Sequence, residues 1–96
     1  MIRHIVIWKL KEAEDIDQRF ACIALGLEGL VGQIDGLVSA KVFQGCGSDG
    51  YSVMLDSILR DQAALDFYQD HPLHVAQKQV IGIYTCGRFS FDCEIT

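Results

Sequence analysis

The sequence predicts an α+β fold built on a four-stranded antiparallel sheet. Three observations carry that expectation. Four segments alternate in character from one residue to the next, as strands do. One long segment between the first two carries an apolar stripe at helical spacing. A helical stretch broken by the only proline precedes the last alternating segment. The chain has 96 residues, 50% of them hydrophobic, so a single domain over residues 1–96 is expected. A domain of this size gains from a partner.

The first strand is expected over residues 2–10. Ile5 and Ile7 share a face with Arg3 and Lys9, while His4, Val6 and Trp8 share the other with Ile2. Both faces carry apolar groups, so both are expected to be covered at least in part. A helix is expected over 14–34, where Ile16, Phe20, Ile23, Leu27, Leu30 and Ile34 fall at spacings of 4, 3, 4, 3 and 4. Asp15 and Asp17 suit its N-terminus. Gly26, Gly29 and Gly32 recur in its second half, each costing about 1 kcal/mol against Ala, and point either to a close backbone approach or to fraying. Gly36 closes the helix.

Residues 37–43 and 51–59 read as a hairpin around the glycine-rich GCGSDG, residues 45–50. Tyr51, Val53, Leu55, Ser57 and Leu59 fall on one face of its second strand, with Met54, Asp56 and Ile58 on the other. A short helix follows over 61–69, with Asp61 as its cap. Pro72 forces a break near His71 and opens a new helix that runs to about Val80. The last strand is expected over 81–92. The order is the ferredoxin-like βαββαβ plan, with four antiparallel strands and helices on one face. The second sheet face then needs a cover, either a second subunit or a ligand. A homodimer with its sheets face to face would supply one.

Charge and cysteine usage narrow the function. Eight basic and 13 acidic residues give a net charge of −5, which disfavours nucleic-acid binding. The opening MIRHIVIWKL is too short and too polar for a signal peptide. No stretch approaches the roughly 20 apolar residues of a membrane span, so no membrane association and a cytoplasmic location are expected. Cys22, Cys46, Cys86 and Cys93 form no C-x-x-C pair and match no common zinc spacing, so free thiols are expected. No cofactor and no metal are expected. GCGSDG lacks the G-K-[ST] ending of a phosphate loop.

IRHIVIWKLK at the start, IDGL at 34–37, YQDHPLHVA at 68–76 and the aromatic last strand with its acidic end together resemble the stress-responsive A/B barrel domain, a branch of the dimeric α+β barrel proteins. The similarity spans nearly the whole chain. It implies a homodimer whose two sheets close into a barrel. The family includes bacterial proteins of unknown activity, plant stress proteins and a plant polyketide (olivetolic acid) cyclase that closes a ring without a cofactor. Matched by motif, the cyclase's tyrosine and catalytic base fall on Tyr68 and His74, and its strand-one histidine on His4. The short glycine-rich loop before strand three and the segment VAQKQVIGIY depart from the cyclase, so a different substrate, or none, is expected here.

The candidate site residues are therefore His74, Tyr68 and His4. A histidine titrating near roughly 6.5 is able to act as a general base at neutral pH, and a tyrosine hydroxyl can hold a developing enolate oxygen. The plainer readings are a satisfied core histidine and a core aromatic. His4 is expected either in a cavity wall or in a subunit interface. His71 is expected to cap the new helix or to bond across the break, and the break also spoils His71-x-x-His74 as a metal pair. Asp56, among apolar neighbours, is expected to pair with His4 or Arg88. Trp8, Phe43, Phe89 and Phe91 read as packing. Two functions follow. One is a homodimer of undefined activity that binds a small apolar or aromatic ligand between sheet and helices. The other is a cofactor-free cyclase or lyase, with His74 as base and Tyr68 as carbonyl anchor. A cofactor-independent monooxygenase is a third.

Overall fold

The computed structural model describes residues 1–47 and 49–95. The elements are β1 (Ile2–Leu10), α1 (Ile16–Glu28), β2 (Leu37–Gln44), β3 (Tyr51–Leu59), α2 (Gln62–Asp70), α3 (Pro72–Tyr84) and β4 (Thr85–Glu94). The sheet order is β2-β3-β1-β4, with every neighbouring pair antiparallel. Two expectations are corrected. The order is βαββααβ, with three helices, rather than βαββαβ. The sheet is also open: β2 and β4 are unpaired outer edges, and the expected barrel is not formed. The expected barrel drew its strands from two copies, and the four strands of one chain are too few to curl round and pair edge to edge.

On β1, Ile2, His4, Val6, Trp8 and Leu10 face the helices and are buried. Val53, Leu55, Ser57 and Leu59 of β3 join them. Tyr51 leaves the face expected for it. The register slips between Trp8 and Lys9, and the Tyr51 ring stacks instead on Phe89, with centroids 4.9 Å apart. Asp56 lies on the face away from the helices and pairs with neither His4 nor Arg88. Arg3 donates to both of its oxygens, at 3.0 and 2.8 Å. These bonds hold the Asp56 carboxyl below the usual carboxylate range.

α1 ends at Glu28, short of the expected residue 34. Gly29 caps it, its amide donating to the carbonyl of Leu25 at 3.0 Å, and Gly32 then turns the chain with φ of +87°. Leu30 and Ile34 stay buried although the helix has ended. The apolar stripe thus records burial rather than helix length. Gly26 is a close approach: a Cβ there would strike the side chain of Gln77 on α3.

The break at the proline falls where expected. Asp61 accepts from the Ala64 amide at 2.8 Å and starts α2. His71 is extended, with φ −64° and ψ 134°, and its Nδ1 accepts from the Leu73 amide at 3.1 Å, capping α3. α3 continues to Tyr84, so β4 starts at Thr85 rather than at residue 81. A few apolar residues cannot separate strand from helix by period alone; here Ile81 turns inward on the same helix face as His74. Thr85 ends the helix by donating its hydroxyl to the carbonyl of Ile81 at 2.8 Å.

The helices cover β1 and β3 but leave β4 exposed along most of its length. The other sheet face has no covering layer. Phe43, Phe89 and Phe91 are 46%, 62% and 63% exposed there, beside the half-buried Ile5, Ile7, Met54 and Ile58. Gly36, with φ of +89°, packs so closely that an added Cβ would lie 2.5 Å from the Cβ of Ala64. Gly36→Ala is therefore expected to lose at least about 2 kcal/mol in urea unfolding, from strain and overlap together. Gly32→Ala, strained in φ but facing open space, should lose about 1 kcal/mol.

Candidate functional site

Because β4 runs beyond the helices, a cleft opens between it, β1 and α3, with a volume of about 560 Å³. That is within the range of small-molecule sites. Val6, Trp8, Leu55 and Ile81 form its apolar wall, and His4 and His74 face into it. Gln69, Lys78 and Arg88 add polar groups.

His4 is placed by register. On β1 it stands between Ser57 of β3 and Asp92 of β4, its Cα partners on either side. The hydroxyl of Ser57 donates to the backbone carbonyl of His4 at 2.8 Å. The imidazole is 2% exposed, and its Nδ1 is hydrogen-bonded to Oδ1 of Asp92. A carboxylate can only accept, so Nδ1 carries a proton, and Nε2 has no hydrogen-bond partner among the described residues. Asp92 itself is half-exposed.

His74 is placed by the proline. Pro72 starts α3, and His74 in the first turn folds back over the end of α2. Its Nδ1 donates to the carbonyl of Tyr68 at 3.0 Å. Its ring stacks on that of Tyr68, with centroids 3.9 Å apart and planes 18° from parallel. Again Nδ1 is spent and Nε2 is free. Burial pushes the His74 pKa down to about 4, and the charges of Lys78, His4 and Arg88 push it the same way against the raising effect of the Tyr68 carbonyl. His74 is therefore neutral at pH 7.

Tyr68 backs the site rather than lining it. It is fully buried, and its hydroxyl has no hydrogen-bond partner among the described residues. Burial raises the phenol pKa well above its ordinary value. The His4 ring stands edge-on to it, with centroids 6.2 Å apart. The structure thus gathers all three expected residues, two of them at the cleft surface and one beneath. His71 stays outside as a helix cap.

Asp92, Arg88 and Lys78 were not singled out from sequence as site residues. The alternation in β4 puts Arg88, Ser90 and Asp92 on one face, a legible signal. Their apposition to Trp8, Val6 and His4 needs the strand register, which the sequence does not state. Among the described residues, no three His, Cys, Asp or Glu side chains are grouped so as to hold a metal ion. No helix among them is long and apolar enough to cross a membrane. The four cysteines are free, with Cys22, Cys46 and Cys86 exposed.

A fold of this order is that of a class of small ferredoxin-like proteins. Within that class the chain belongs to the Stress responsive A/B Barrel Domain family, whose match covers residues 2–95. Solved structures share the fold. A dimeric ferredoxin-like protein of unknown function from Bacteroides fragilis is 22% identical, covering 98% of this chain and 95% of its own, with a TM-score of 0.89. A dimeric ferredoxin-like protein of unknown function from Jannaschia is 24% identical, covering 98% of each chain, with a TM-score of 0.83. A Dabb family protein from Mesorhizobium loti is 25% identical, covering 99% of this chain and 96% of its own, with a TM-score of 0.77. No functionally curated protein matches the sequence.

The depressed pKa of His74 ties stability to pH. The unfolded chain protonates this histidine below pH 6.5, while the folded chain resists protonation down to about pH 4. Its contribution is therefore fully present above pH 6.5 and is lost as the pH falls towards 4, by roughly 2–3 kcal/mol. Urea unfolding at pH 7 and pH 4.5 should show a larger loss for the wild type than for His74→Asn. The His74 Cε1–H resonance should titrate with a midpoint near pH 4.

Proposed function

We propose that this protein is a homodimer that binds a small apolar or aromatic molecule in the cleft between the sheet and α3. The observation that supports binding most directly is the convergence of an apolar wall with two imidazoles that each present a free Nε2. Both rings are anchored through Nδ1, so each Nε2 is fixed in place before a ligand arrives. Support for the dimer comes from the outer sheet face. Phe89 and Phe91 stand more than half exposed there, beside Ile5 and Ile7, and an apolar surface of this kind marks an association site. The Bacteroides and Jannaschia relatives are themselves described as dimeric.

The cleft can be tested through Trp8, the only tryptophan of the chain and part of the wall. Titration with naphthol should change its fluorescence. Gly82 also lines the cleft, and a Cβ added there meets nothing within 4 Å. Gly82→Leu should fill the space and abolish the fluorescence response while leaving thermal stability equal or higher. An unchanged response in Gly82→Leu would place the binding elsewhere. The dimer is tested by light scattering: Phe91→Asp should give a folded monomer, since a charge at that position would be buried without a partner in the assembly.

A second reading, a cofactor-free cyclase or lyase, is favoured by the His4–Asp92 pair. A carboxylate behind an imidazole orients it and stabilises the charge formed when Nε2 takes a proton. His74, desolvated and neutral, serves as an acceptor for a substrate hydroxyl or enol. Tyr68, sealed behind it, holds His74 in place. On a linear β-polyketone ester, Asp92→Asn is then expected to lower the ring-closure rate roughly a hundredfold, followed by absorbance of the cyclised product. Absence of turnover in the wild type would leave binding alone.

A further inference from the structure

We infer that the ligand of the cleft is an anion, an apolar small molecule bearing one carboxylate, and that Arg88 and Lys78 recognise that carboxylate. The inference rests on the reading of the cleft as a binding site and names the class of molecule that fits it.

The arginines supply the first argument. The chain has four. Arg3 is paired with Asp56 at 2.8 Å, Arg19 with Asp15 at 2.9 Å, and Arg60 with Asp35 at 3.5 Å. Arg88 alone has no carboxylate partner among the described residues, and it is the arginine that lines the cleft. In a chain with 13 acidic residues and a net charge of −5, partners are plentiful, yet none is placed here. The residue opposite Arg88 on β1 is Trp8. Asp92, further along β4, is engaged by His4.

Lys78 supplies the second argument. It reaches the cleft from α3, and its Nζ donates to the carbonyl of Gln69 at 2.8 Å. That bond positions the ammonium group and leaves two of its three donors unused. The cleft therefore carries one guanidinium on the strand side and one ammonium on the helix side. Both charges act on His74, which lies between β4 and α2 and is pushed further towards its neutral form by each. A planar guanidinium fork matches a carboxylate in two parallel hydrogen bonds, and an ammonium adds a point charge. The rest of the lining includes Val6, Trp8, Leu55 and Ile81, an apolar wall that suits an apolar body.

The test compares naphthoate with naphthamide, which have closely similar shape and differ in charge. Binding to the full chain is read by Trp8 fluorescence at pH 7, with amide NMR shifts locating the bound probe. The expected result is that naphthoate shifts cleft residues and binds roughly tenfold or more tightly than naphthamide. Arg88→Gln should weaken that preference several-fold, and Arg88→Gln combined with Lys78→Gln should remove it. Arg60→Gln, the same change of net charge at a paired site away from the cleft, should leave both unaltered. Equal binding of the two probes, or a preference that survives the double substitution, would overturn the carboxylate assignment while leaving the cleft as a binding site. If neither probe shifts cleft residues, both the assignment and the binding reading fail.

Discussion

The site depends on β1 being paired along both sides. On one side β3 lies under the helices. On the other, β4 is held by the same ladder but extends beyond them. Had the helices reached β4, its inward face would be packed core. Instead that face carries Cys86, Arg88 and Asp92, polar groups that need water or a partner. The cleft follows from a sheet wider than its cover. His4 can sit at its base because its two neighbours in the ladder supply what a buried imidazole needs. Ser57 engages the backbone and Asp92 engages the ring.

His74 reaches the same cleft by a different route. Pro72 has no amide hydrogen, and the residue before it is driven out of helical geometry. The chain therefore turns at His71, and the first turn of α3 lies over the last turn of α2. Tyr68 meets His74 twice there, through its carbonyl and through its ring. The two imidazoles end in unlike surroundings. One rests on a carboxylate that stabilises positive charge; the other rests on a neutral carbonyl in a desolvated site beside Lys78 and Arg88, which opposes it. Similar side chains thus sit in contrasting environments within one cleft.

Much of the fold was legible because side-chain periodicity reports burial. The strand faces of β1, the hairpin of β2 and β3, the Asp61 cap and the break at Pro72 all follow from local chemistry. The boundaries that shifted did so where burial and backbone state part company. Leu30 and Ile34 continue the apolar stripe of α1 after Gly29 and Gly32 have ended the helix. Ile81 and Ile83 alternate like a strand but belong to α3. Tyr51 changed face because a one-residue slip in register reverses every side chain beyond it. Asp56 found Arg3 rather than His4 because those two lie on opposite faces of the sheet.

His4, Tyr68 and His74 could be named from the sequence, since a histidine within a buried face and a tyrosine–histidine pair around a proline are local patterns. Their convergence, and the arrival of Asp92, Arg88 and Lys78 beside them, could not. Those contacts join residues at opposite ends of the chain, and they are set by the register of β4 on β1 and the tilt of α3 over the sheet. Local composition determined which segments are strands and helices and which face of each is apolar. Only the tertiary structure decided that the sheet stays open, because closure depends on how many strands meet and not on the character of any one of them. It likewise decided which polar groups share one cleft, because register and helix placement are settled by the packing of the whole core.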